Sequence, residues 1–143
     1  MTHPTLTARI DVTLLRGQNN REHHRGRALR VAAERKATLD ALWSADMGDQ
    51  FGELEHATHE PDFAARVTLT RPYQVTPLDS DNLSASFQAV RDAVARYVLL
   101  DDASDRLHWV YRQEPAVVTG KSTKPGRSRA STDHDTRPTV LIE

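Results

Sequence analysis

The chain has no cysteine. That excludes a disulfide framework, thiolate catalysis and cysteine-ligated zinc, and it agrees with a reducing, cytoplasmic setting. No uninterrupted apolar run approaches membrane-spanning length, and Met1 to Thr7 is polar, unlike a signal peptide. Charge of one sign is also missing: 19 Lys and Arg stand against 20 Asp and Glu, a formal net charge of −1. Whole-chain charge therefore argues neither for nor against nucleic acid, and only its distribution can. Apolar residues make up 38% and aromatics 6%, lean values for a globular protein. At 143 residues the expectation is one domain, 1–143, with a single core.

Alternation comes first along the chain. Leu6, Ala8, Ile10, Val12 and Leu14 interleave with Thr7, Arg9, Asp11 and Thr13, which predicts a half-buried strand ended by Gly17 to Asn20. A basic segment follows with Arg16, Arg21, His23, His24, Arg25, Arg27 and Arg30. Its default reading is a solvated surface; its functional reading is contact with phosphates. Steps of three and four among Leu29, Ala32, Ala33, Leu39, Leu42 and Trp43 predict a helix over 27–44. Residues 47–62 read as a loop with a helical turn, where His56 and His59 do not make a metal pair. Arg66 to Thr70 alternates as a second strand, interrupted by the prolines of 71–77. Leu83, Phe87, Val90, Val94 and Tyr97 share one face of a helix over 82–98, and Leu107, Trp109 and Tyr111 alternate as a third strand. Residues 115–138, with Lys121, Lys124, Arg127, Arg129 and Arg137, read as a flexible basic loop or a hairpin tip. The β-branched run 139–143 closes the list of strands. The order predicts an α+β domain: a mixed sheet of about four strands with two main helices packed on it.

Chemistry concentrates around the second helix. Asp79 and Asp81 precede it, and Asp101, Asp102 and Asp105 follow it. In an extended segment the side chains of Asp79 and Asp81 point the same way and can face one ion. An intervening helix of roughly 17 residues runs about 25 Å. Asp102 thus reaches the same site only if the chain folds back or a second subunit supplies it. Oxygen ligands without His or Cys suit Mg²⁺ or Mn²⁺. Without a metal, Asp79 and Asp81 are a helix cap and the later aspartates a solvated turn.

The run Leu78-Asp-Ser-Asp-Asn-Leu83, the helix Ala89-Val-Arg-Asp-Ala-Val-Ala95 and the pair Asp101-Asp102 resemble the RusA family of Holliday junction resolvases. The flanking segments Arg66 to Arg71, His108 to Gln113 and Asn19-Asn20 are similar too, so the resemblance covers most of residues 5–114. It implies a Mg²⁺-dependent endonuclease, bacterial or phage-encoded, that resolves four-way DNA junctions as a homodimer. By carry-over, Asp79, Asp81 and Asp102 are the catalytic, metal-binding aspartates, with Asp101 assisting the metal. DNA contacts fall to Arg21, His24, Arg25, Arg27, Arg91, Lys121 and Lys124. One departure stands out: Gln88 occupies the position of the family's catalytic lysine, one turn before Asp92. A glutamine donates a hydrogen bond but carries no charge to place against a phosphate. Arg91 is the candidate substitute. The alternative is a catalytically impaired protein that still binds junctions.

Overall fold

The strands form where apolar and polar residues alternate, and the helices cover the apolar side of the sheet they make. The computed structural model describes residues 4–14, 23–48, 52–122 and 131–143. In chain order the elements are β1 (Leu6–Arg9), α1 (His24–Gly48), α2 (Glu53–Thr58), β2 (Ala65–Tyr73), α3 (Ser80–Ser86), α4 (Gln88–Tyr97), β3 (Leu107–Pro115), β4 (Val117–Ser122), β5 (Ser131–Asp135) and β6 (Thr139–Ile142). Four strands make a mixed sheet in the order β1-β6-β2-β3. β6 lies antiparallel between β1 and β2, while β2 and β3 run parallel, joined through α3 and α4. The α+β expectation therefore holds.

Leu6 and Ala8, Val67 and Leu69, Leu107, Val140 and Ile142 alternate inward and are buried with Phe87, Val90, Val94 and Val98. Each fully buried side chain of this kind stabilises the fold by about 1.5–3 kcal/mol before chain entropy is counted. The short terminal strand is no trim on the edge: β6 sits inside the sheet, bonded on both sides.

Three local expectations differ from the structure. The first strand ends at Arg9 rather than running to Leu14, although Ile10 and Leu14 remain buried. The helix expected over 82–98 divides at Phe87, whose N–H bonds to the Ser84 carbonyl at 3.1 Å, an i to i−3 contact. Ser86 Oγ donates to the Leu83 carbonyl at 2.7 Å, a back-bond of the kind that bends a helix. The helical turn read within 47–62 is present as α2, where the Asp46 carboxylate accepts the N–H groups of Leu54 and Glu55, both at 3.2 Å. The segment 115–138, read as a flexible basic loop or a hairpin tip, contains the antiparallel pair β4–β5, so its described parts form a hairpin and not a loop. Arg137 there is bonded at 3.0 Å to Asp135, whose carboxyl these bonds hold down at about 2.

Candidate functional site

The loop after β2 delivers Asp79 to the start of α3, where it is the N-cap. One carboxylate oxygen accepts the Asn82 backbone N–H at 2.8 Å and the other the Asn82 side-chain amide at 2.9 Å. The first of these bonds, then the second, lowers the Asp79 pKa from its ordinary 3.8. Asn82 thus completes a cap with Asp79. Asp81 lies in the first turn of α3 and is exposed, complementing the positive end of the helix. This corrects the expectation that both aspartates project from one extended segment. Capping starts the helix at Ser80, so the alternation of an extended chain does not apply to Asp81.

At the other end, α4 closes with Leu99 in the left-handed region, φ 59°, and the Leu100 N–H returns to the Ala95 carbonyl at 3.0 Å. The chain then doubles back. Asp101 accepts the Ala103 N–H at 2.9 Å. The Asp102 carbonyl accepts the Trp109 indole N–H at 2.9 Å and the Arg91 guanidinium at 3.4 Å. Arg91 also approaches the Asp102 carboxylate at 3.9 Å and lies 4.9 Å over the Trp109 ring. Arg91 therefore fastens the turn after α4 to the sheet. Gln88, one turn earlier and exposed, donates to Asp92 at 3.3 Å, and Asp92 is held to α1 by Arg35 at 2.8 Å.

The two acidic pairs do not meet within one chain. A helix that joins parallel strands runs back along the sheet, so its two ends lie toward opposite ends of the strands. The register sets Ala65 against Leu107 and Tyr73 against Pro115, which separates the Asp79 loop from the start of β3. Along β3, Leu78 bonds to Gln113 whereas the Asp102 carbonyl bonds to Trp109, four strand residues or about 13 Å nearer the other end. Among the described residues no group of three or more His, Cys, Asp or Glu could hold a metal. Asp79, Asp81, Asp101 and Asp102 of a single chain thus do not fit one shared ion.

The basic residues scatter. His24, Arg25 and Arg27 are exposed in the first turn of α1, which has no acidic residue to offset them. Lys121 lies on β4, and Arg21 and Lys124 fall outside the described residues. The sequence reading missed a further set. Arg66, His108 and Arg112 occupy the outward positions of β2 and β3 and are exposed, with Arg66 directly opposite His108. Arg9 is outward on β1 and bonded to Asp135 at 3.0 Å. The signal was available: period two assigns these residues to the face away from the helices. Beside the Asp79 loop, Leu14, Arg71, Tyr73, Leu78 and Pro138 line an open cleft of about 230 Å³.

No protein-family model, no curated protein and no solved structure matches this chain. Among the described residues no helix is long and apolar enough to cross a membrane.

Proposed function

We propose that this chain is a RusA-like protein of bacterial or phage origin that acts in the cytoplasm on four-way DNA junctions as a homodimer. The observation that supports it most is the β2–α3–α4–β3 unit, which carries the Asp-Ser-Asp-Asn run at its head and the Asp-Asp pair at its foot. Among the described residues no Lys, Arg or His forms an ion pair with Asp79, Asp81 or Asp101, and Arg91 stands 3.9 Å from Asp102. Carboxylates left without cations are available for an external one. Because one chain does not gather them, Mg²⁺-dependent cleavage requires a second copy to complete the site. The exposed Arg66, His108, Arg112 and the first turn of α1 supply positive charge for DNA backbone.

A second reading, binding without cleavage, is favoured by Gln88. It offers an uncharged amide turned to Asp92, and the nearby cations Arg35 and Arg91 are engaged by Asp92 and by the Asp102–Trp109 turn. Incubation of a synthetic four-way junction with Mg²⁺, comparing the wild-type chain with Asp81→Asn, separates the two. Cleavage by the wild type that falls at least about a hundredfold in Asp81→Asn supports the nuclease. Salt-sensitive junction binding with no cleavage in either protein supports the binding reading. Equal cleavage rates, or no affinity for DNA at low salt, remove both.

A further inference from the structure

Helix α1 carries large apolar residues on its outer side. Leu29 is 69% exposed, Trp43 45% and Met47 76%, whereas Glu34, Thr38 and Asp46 on the inner side are buried. Leu29, Ala33, Lys36, Asp40, Trp43 and Met47 succeed one another at alternating steps of four and three, which places them in one stripe along the helix. All six are exposed. The stripe is complementary to itself when reversed about its midpoint between Lys36 and Asp40. Antiparallel to a second α1, Lys36 meets Asp40, Ala33 meets Trp43 and Leu29 meets Met47. Cation faces anion, small faces large, and apolar faces apolar. Ala32 and Ser44, both exposed and small, flank the stripe on opposite sides and let the helices approach closely.

We propose that this stripe is a self-association surface, and that its occupant is the α1 helix of a second copy of this chain, docked antiparallel about a two-fold axis. A two-fold contact brings the same patch together from both chains, and each unlike pair occurs twice. Lys36 and Asp40 already pair within the helix at 2.6 Å, yet their side chains remain 78% and 63% exposed. Lys before Asp is the weaker orientation of such a pair, so both charges retain attraction for a partner. Trp43 is seated edge-on against Tyr97, ring centroids 5.1 Å apart, which presents it as a positioned anchor. From Leu29 to Met47 the contact runs about 27 Å. A single helix pair of that length is at the small end of specific interfaces, so the dissociation constant is expected on the order of micromolar. The inference stands on the stripe and not on the junction reading, which requires a dimer but names no face for it.

Sedimentation of the full chain without DNA, across roughly 1–100 µM, tests it. The wild type is expected to pass from monomer to dimer over that range. Lys36→Glu alone and Asp40→Lys alone each place two like-charge pairs on the axis and weaken dimerisation at least about tenfold. An equimolar mixture of these two variants has one acid and one base in every axis pair again, and it is expected to form a 1:1 heterodimer. Met47→Glu weakens the dimer without touching the axis charges, and circular dichroism confirms that each variant is folded. A wild type monomeric throughout, a dimer indifferent to both single charge changes, or a mixture that does not associate overturns the proposal. A wild type monomeric throughout also counts against the homodimer of the junction reading, whereas the variants and their mixture bear on this face alone; junction binding is measured separately.

Discussion

Helices α1 and α4 pack against each other but follow opposite rules. α4 buries Ala89, Val90, Ala93, Val94 and Tyr97 on one side, so its pattern and its packing agree. α1 buries Glu34, Thr38 and Asp46 beside Leu42 and leaves Leu29, Trp43 and Met47 outside. Its inner polar groups are satisfied locally. Thr38 donates to the Glu34 carbonyl at 2.7 Å, Arg30 pairs with Glu34 at 2.9 Å, and Asp46 caps α2 while accepting the Tyr97 hydroxyl. The difference teaches that α4 is held mainly by apolar burial, whereas α1 sets polar groups beside Leu42 and the partly buried Ala37, Leu39, Ala41 and Ala45, with Asp46 and Arg35 reaching Tyr97 and Asp92 of α4. Polar groups are tolerated in such a position only while every one keeps its partner.

The contrast can be broken from the apolar side first. Phe87→Ala, at the fully buried junction of α3 and α4, should cost about 3–5 kcal/mol in urea unfolding, since the cavity is closed in by Tyr111 and the sheet. A loss below about 1 kcal/mol would mean that this side of the core is not packed as described.

The polar side should yield less. Tyr97→Phe removes the hydroxyl donor from Asp46 and should cost about 1.5–3 kcal/mol, the range for hydrogen bonds to charged groups. Burial, reinforced by that bond, raises the Tyr97 pKa, so the hydroxyl stays protonated and donating over the whole working pH range. A variant as stable as the wild type would show that α1 does not depend on this polar bond.

The smallest effect concerns how the helices begin. α3 has the Asp79 cap, while α1 has no acidic residue in its first turn. The folded pKa of Asp79 is lowered from 3.8. Its contribution is therefore present above that unfolded value and is lost as pH falls through the lower folded one. Urea midpoints of the wild type and Asp79→Ala should differ slightly at neutral pH and converge in acid. A gap that persists below the folded pKa would remove the carboxylate as its cause.

The elements that were legible in the sequence are those whose pattern equals their burial. Val67 and Leu69, Leu107, and the face Phe87, Val90, Val94 and Tyr97 were identifiable by period alone, and all are buried. The break at Phe87 was not legible, because it depends on the Ser86 hydroxyl choosing the Leu83 carbonyl over solvent. The outward cations Arg66, His108 and Arg112 were readable by alternation, because period two alone assigns them to the face away from the helices. The acidic residues themselves were visible, whereas their separation was not, since it follows from the parallel pairing of β2 with β3.

The amino-acid order by itself determined the local chemistry: where chains alternate, where a helix has an apolar face, where Asp79 can cap and where Gln88 leaves no charge. Only the tertiary structure decided what stands next to what. Parallel strands joined by a returning helix put the two acidic pairs at different levels of the sheet, and the choice of inner face on α1 turned Trp43 and Met47 outward. Local propensity acts over a few residues of chain, whereas these juxtapositions arise from packing between segments far apart in sequence.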